Sequence, residues 1–167
     1  MKNIINIGIP SKGRLRKDFL KIFKRKKLTL ISERGERDLI GSIKNKKNLK
    51  ILYLHAREII ERLGDGSLDI GFSGFDLFKE SEFHIQKKIN VVKKYDFGKA
   101  NLVVAIPDPW IDVQTIADLE EIGFEFRDKI KKRLRVATKY PNLTRNFLFA
   151  KGVTQFQIIE SLGATEV

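Results

Sequence analysis

The sequence predicts an α/β protein of two lobes, and three observations carry that expectation. Short apolar runs, each closed by Pro, Gly or a polar cluster, alternate with amphipathic stretches, so residues 1–80 read β-α-β-β-α-β-α, a doubly wound order. The stretch Gly64-Asp-Gly-Ser-Leu-Asp-Ile-Gly-Phe-Ser-Gly-Phe-Asp76 sets a short strand, a glycine turn and a helix start in succession. That is the usual ligand edge of an open α/β sheet. A further set of strand and helix signals begins after residue 95. The expected lobes are therefore residues 1–94 and 95–167, with a short hinge near Lys94.

Taken in order, Asn3-Ile-Ile-Asn-Ile-Gly-Ile9 is an apolar run with the character of a buried strand, broken at Pro10. Leu15, Phe19, Leu20 and Phe23 recur at helical spacing and predict a helix from about Gly13 to Lys26. Lys12, Gly13 and Arg14 thus lie at a strand-to-helix turn, where backbone N–H groups, the helix dipole and two cations can converge on one anion. The structural alternative is a turn carrying solvated cations. Lys27–Ser32 predicts a strand, residues 34–37 a charged turn, and Asp38–Ile43 a short extended piece before a Lys/Asn loop. Leu49–Leu54 is a clearer strand, leading into His55-Ala-Arg57 and a helix over Glu58–Leu63. Leu68–Phe72 supplies the next strand. Gly71 and Gly74 then leave room for a ligand or another backbone to approach, and Asp76 is placed to cap the following helix. A capped βα turn with no ligand is the alternative there.

In the second lobe, Asn101-Leu-Val-Val-Ala-Ile106 predicts a buried strand ended by Pro107-Asp-Pro109. Ile116–Ile122 reads as a helix and Phe124-Glu-Phe126 as an edge-strand segment. Arg133–Thr138 reads as a strand, followed by Lys139-Tyr-Pro-Asn142 and a helix over Thr144–Lys151, with Asn142 its N-cap and Arg145 in its first turn. Thr154–Ile159 is a last strand. Neither internal repeats nor a low-complexity linker occurs.

Composition narrows the function classes. The chain has 167 residues, 42% of them hydrophobic, and no cysteine, which removes disulfide scaffolds and thiolate metal sites. The start of the chain is too short and interrupted for a secretory apolar core, and no run could span a bilayer, so a cytoplasmic protein without membrane association is expected. The net charge is +12, and residues 1–50 carry all of that excess. Its sources are Lys21-Ile-Phe-Lys-Arg-Lys-Lys27 and Lys44-Asn-Lys-Lys47. The first ends an amphipathic helix, where cations favour the dipole, and the second sits in a polar loop. Both read as solvated charge, with attraction of phosphate-rich polyanions as the functional alternative.

His84 falls in a polar connection and His55 at a strand end, where a structural role is the expectation and catalysis the alternative. With no cysteine and no histidine pair at ligand spacing, zinc is not expected. Neither a Gly-x-Ser-x-Gly elbow nor a Walker A loop occurs. What remains is a set of Arg, Lys, Asp and Asn residues on strand-end loops, suited to an anionic small molecule.

Five segments then resemble, in order, the catalytic subunit of ATP phosphoribosyltransferase, the first enzyme of histidine biosynthesis. They are Pro10-Ser-Lys-Gly-Arg-Leu15, Leu54-His-Ala-Arg57, Asp65 to Asp76, Asp96-Phe-Gly-Lys-Ala-Asn-Leu102, and Arg135-Val-Ala-Thr-Lys-Tyr-Pro-Asn-Leu-Thr144. Gly163-Ala-Thr-Glu-Val167 is similar to the start of the family's next block. The resemblance implies a type II periplasmic-binding-protein-like fold, each lobe a mixed sheet flanked by helices, with the active site between lobes. It implies joining of ATP, through N1 of adenine, to phosphoribosyl pyrophosphate with loss of pyrophosphate, assisted by Mg²⁺. Lys12, Arg14 and Arg57 match family positions lining the cleft, and Asp69, Asp96 and Glu166 match its acidic positions. All six are expected to position substrate, with Gly13, Gly71 and Gly74 beside them and no residue assigned as general base. A homo-oligomer and a separate histidyl-tRNA-synthetase-like regulatory subunit are also implied.

In the family the chain continues from Glu-Val into Ala-Pro and an Asp-x-x-x-Thr-Gly-x-Thr-Leu loop for phosphoribosyl pyrophosphate. No Thr-Gly pair occurs in these residues. The expectation is accordingly a fragment or a degenerate relative, inactive alone and lacking the segments that return to the first lobe. Two other classes stand beside the enzyme: a small-anion or nucleotide-binding module without catalysis, and a basic nucleic-acid-binding protein using residues 1–50. Steep weakening by salt on any nucleic-acid sequence would mark the latter, which the spacing of aromatics does not favour.

Overall fold

The computed structural model describes residues 4–31 and 39–161, and the chain divides into two compact units, Met1–Ala100 and Asn101–Val167. The expected charged turn at 34–37 and Glu166 lie outside the described residues.

The first unit is a five-stranded mixed sheet in the order β2-β3-β4-β1-β5. Its strands are β1 (Ile5–Pro10), β2 (Leu30–Ile31), β3 (Ile40–Ile43), β4 (Lys46–Leu54) and β5 (Ile70–Gly71). β1 pairs in parallel with β4 and β5, while β3 pairs antiparallel with β2 and β4. Parallel neighbours need crossover helices. α1 (Gly13–Arg25) follows β1, and α2 (Ala56–Gly64) follows β4. Alternation along β1 sends Ile7 and Ile9 into a core with Phe19 and Phe23 of α1 and with Ile51 and Tyr53 of β4. On the other face a Cβ at Gly8 would meet Leu68 and Ile59, so α2 lies close against the sheet there. α3 (Phe75–Glu80) and α4 (Phe83–Lys88) complete the unit's helices among the described residues.

Several expectations are corrected. The Lys/Asn loop is a tight turn at Lys44 and Asn45, and β4 begins at Lys46, three residues before the predicted start. Asn45 takes φ 63, which its short side chain tolerates. Asp76 is not the cap of α3: Gly74 holds that position and Asp76 sits inside the first turn. His84 lies on α4 rather than in a connection, with Nδ1 3.1 Å from Glu82. The predicted hinge near Lys94 falls in the irregular stretch that closes the first unit.

The second unit holds a two-stranded parallel sheet, β6 (Leu134–Thr138) with β7 (Phe156–Glu160), and helices α5 (Ile116–Glu125) and α6 (Pro141–Ala150). Leu119, Leu134, Leu148, Val153 and Phe156 form its core. α5 opens with a capping box, Thr115 and Asp118 each serving the other's backbone N–H. The buried strand predicted over Asn101–Ile106 is absent. These residues are exposed, Val103 by 75%, and no strand among the described residues pairs with them. Apolar composition suits a strand, but a ladder needs a neighbour on which to bond. Phe124-Glu-Phe126 is not an edge strand either, because α5 runs through it into a π-helical turn, Phe126–Ile130. α6 starts three residues earlier than expected, capped at Tyr140 instead of Asn142, because Pro141 brings a helical φ to the first position.

Candidate functional site

Three adjacent parallel strands end at one edge of the first sheet. Pro10 is in register with Leu54, and Gly8 with Gly71, so the loops leaving β1, β4 and β5 emerge side by side. Backbone bonds hold them there: Ser11 N–H donates to Leu54 O at 2.8 Å and Phe72 N–H to Gly8 O at 3.0 Å. The Ser73 hydroxyl donates to Ala56 O at 2.6 Å, tying the glycine turn to the start of α2. The carboxyl edge of β1, β4 and β5 therefore carries Lys12 as the N-cap and Gly13 and Arg14 in the first turn of α1, Arg57 in the first turn of α2, and Gly71 to Gly74 on the turn after β5.

Each position has a local cause. Lys12 is the N-cap of α1 with an extended backbone and no side-chain cap bond, so it leaves first-turn N–H groups of the helix open. Gly13 takes φ 81 with nothing within 4 Å of where a Cβ would stand, a conformation that glycine adopts without strain. Arg14 is exposed in the first turn of α1, and Arg57 is exposed in the first turn of α2. Among the described residues, no carboxylate pairs with Lys12, Arg14 or Arg57. His55 caps α2, its Nδ1 accepting the Arg57 N–H at 3.4 Å, which is the structural role expected of it. Two helix N-termini and three cations thus share one edge, an arrangement that attracts phosphate or carboxylate.

The other expected residues stand elsewhere. Asp69 precedes β5 level with Asn6, where its Oδ2 accepts the Asn6 N–H at 2.7 Å. That is four residues short of Pro10, roughly 13 Å along the strand. Asp96 is 91% exposed and pairs with Lys99 at 2.8 Å. Gly71 keeps room for α2: a Cβ there would lie 2.6 Å from Ile59 Cγ2 and Leu63 Cδ1. Gly74 is filled from its own side by Asp76. Among the described residues, no group of three or more His, Asp or Glu stands together as a metal site, so these residues build no cage for Mg²⁺.

Arg16 was not singled out in the sequence. Its guanidinium donates to Ser11 O at 2.5 Å, lies 4.9 Å from the Tyr53 ring centroid, and buries Nε without a partner. It ties Ser11 to the start of α1, where Lys12 and Arg14 stand. No local signal marks it, because its partner ring is on β4.

In the second unit, Thr138 Oγ1 and Thr144 Oγ1 lie 3.0 Å apart where β6 turns into α6, and Tyr140 N–H donates to Thr138 Oγ1. Arg145, on the exposed side of that turn, donates to Asn142 Oδ1 at 3.1 Å.

Known proteins similar to this chain match it over nearly its whole length. Residues 55–167 match the family described as HisG: ATP phosphoribosyltransferase. The chain is 44% identical over 166 residues to an ATP phosphoribosyltransferase of Nitrobacter winogradskyi, covering 99% of this chain and 51% of that protein. It is 46% identical over 160 residues to that of Rhodopseudomonas palustris strain BisB18, covering 96% and 49%. The chain therefore spans about half the length of these curated relatives. A solved ATP phosphoribosyl transferase (HisG:HisZ) complex from Thermotoga maritima superposes with a TM-score of 0.59 at 21% identity, covering 98% of this chain and 67% of that one. That likeness shows the fold, the type II periplasmic-binding-protein-like class expected from the sequence.

Proposed function

The chain belongs to the ATP phosphoribosyltransferase family, and on that premise we propose that it takes part in joining ATP to phosphoribosyl pyrophosphate in the first step of histidine biosynthesis. N1 of adenine attacks C1 of the phosphoribosyl group, and the bond from C1 to the pyrophosphate oxygen breaks. The observation that carries the proposal is the shared carboxyl edge of β1, β4 and β5, with Lys12, Arg14 and Arg57 around two helix N-termini. Exposed cations and N–H dipoles there stabilise a phosphate-bearing substrate and the negative charge of a departing pyrophosphate. They also hold together two polyanions that repel each other in water, which is where positioning contributes most.

Mg²⁺ would arrive on the phosphates themselves, which need only one or two protein carboxylates. Asp69, Asp96 and Glu166 are proposed only as acidic positions of that kind. A cytoplasmic location and a regulatory partner like the one named in the Thermotoga maritima complex go with the same reading.

The test follows phosphoribosyl-ATP by absorbance for these 167 residues and for a fusion carrying the remaining half of the Nitrobacter winogradskyi relative. The 167 residues are expected to bind ATP without turnover, and the fusion to turn over. Failure of both to bind ATP or to turn over would overturn the proposal. Turnover by the 167 residues alone would move the phosphoribosyl phosphate to Thr138–Thr144.

A further inference from the structure

The two lysine clusters, separate in the sequence, are brought to one place by the fold. Residues 19–31 carry five Lys/Arg and residues 39–50 carry four, and neither segment contains an Asp or Glu; of these cations Lys21 pairs with Asp18 of α1 at 2.8 Å. β2 pairs with β3 through Leu30 and Ile43, and Lys44 N–H donates to Thr29 O at 2.8 Å. This seats the Lys44–Lys47 turn beside the end of α1. At the end of α1 itself lies an open groove of about 300 Å³, walled by Leu20, Phe23, Leu28 and Leu30 and rimmed by Lys24 and Lys27. Its size is at the low end of ligand pockets.

Lys27 adds a second sign. It has φ 56, the left-handed region, at the end of α1. Lys27 N–H bonds Lys24 O and Leu28 N–H bonds Phe23 O, the paired closure in which glycine is the usual residue. A lysine there puts charge on the rim where glycine would relieve the backbone.

We propose that this end of the first unit is a docking surface for an acidic protein segment that seats one apolar side chain in the groove between Lys24 and Lys27. The opposed charge supplies the attraction and the apolar floor supplies the anchor. A nucleic-acid backbone has phosphates for the lysines but nothing apolar to fill the groove, and Phe23 is buried at 7% exposure and offers no face for a base to stack on. A lipid surface needs a protruding apolar face, and this one is concave. The surface is separate from the carboxyl edge, since α1 has Arg14 near one end and Lys24 near the other, and its 13 residues span roughly 20 Å. The proposal therefore stands whether or not the transferase reading does.

The experiment uses fluorescence anisotropy with three labelled probes of equal length. They are a glutamate-rich peptide with leucines at i and i+4, the same peptide with serines, and a single-stranded oligonucleotide. The leucine peptide should bind at least tenfold more tightly than the serine peptide. Lys24→Gln with Lys27→Gly should weaken it about tenfold, and Leu20→Asp similarly, with the far-ultraviolet circular dichroism unchanged. Lys27→Gly relieves the backbone, so loss of binding in it is not loss of fold. Equal binding of the two peptides, tighter binding of the oligonucleotide, or no binding of the leucine peptide would each overturn the proposal.

Discussion

Replacing Gly71 with alanine separates the two roles that a glycine at this turn can have. An added Cβ would stand 2.6 Å from both Ile59 Cγ2 and Leu63 Cδ1. Carbon atoms rest at about 3.5–4.0 Å, so α2 must move out by roughly 1 Å. Ile59 is fully buried and has nowhere to retreat. Overpacking of this kind costs about 1–3 kcal/mol, partly offset by about 0.4–1 kcal/mol from the less flexible unfolded chain. Urea denaturation followed by circular dichroism should show a lower midpoint at an unchanged slope. Leu63→Ala should relieve part of the loss in the double variant, a coupling that neighbours show and distant sites do not. ATP affinity of the folded protein should stay within about twofold of the wild type. An unchanged midpoint with weakened ATP binding would refute this, and would mean that the glycine makes room for ligand and not for α2.

Lys27→Gly should stabilise the protein by about 0.5–1 kcal/mol, since left-handed backbone costs a side-chain-bearing residue about 1–2 kcal/mol and glycine returns part of that in the unfolded state; thermal denaturation reads it. Neutralising Lys24, Lys26 and Lys27 together should leave ATP affinity nearly unchanged by calorimetry, because the clusters lie beyond a Debye length of about 8–10 Å from the carboxyl edge. Thr115→Ala should cost about 1 kcal/mol through loss of the α5 cap. The N–H groups of Gln114 and Thr115, together with the Thr115 hydroxyl, hold the Asp118 carboxyl below its ordinary 3.8. Its folded value is the lower one, so its contribution is full above that ordinary value and disappears as pH falls through the folded value. The stability gap between wild type and Asp118→Asn should close over that acid range in denaturant titrations at stepped pH.

The parts of the fold that could be read in advance are those whose signals are local. α1 is written in the spacing of Leu15, Phe19 and Phe23, and β1 in an apolar run that stops at Pro10. Most of the order of strands and helices in the first unit followed from such runs, β3 and α4 being the additions, and with it the convergence of Lys12, Arg14 and Arg57 at neighbouring strand ends. Asn101–Ile106 was misread because a strand is a property of two chains, and no local pattern states whether a partner is present. Phe124 to Phe126 was misread because two aromatics around one polar residue fit a strand period while the helix before them simply continues. In the site, the cations were legible from the strand-to-helix turns they stand at. Arg16 was not, because its role depends on Tyr53 across the sheet. Gly71 was legible as a close approach, but what approaches is α2.

The claim that the carboxyl edge of β1 and β4 holds substrate phosphate is tested most directly by calorimetric titration of ATP into the wild-type chain, Arg14→Ala and Arg57→Ala. A charge-assisted bond to phosphate is worth about 1–3 kcal/mol, so each substitution should weaken binding by roughly 5- to 150-fold, and added salt should narrow the gap. Equal affinity in all three proteins would contradict the account and take both arginines out of the site.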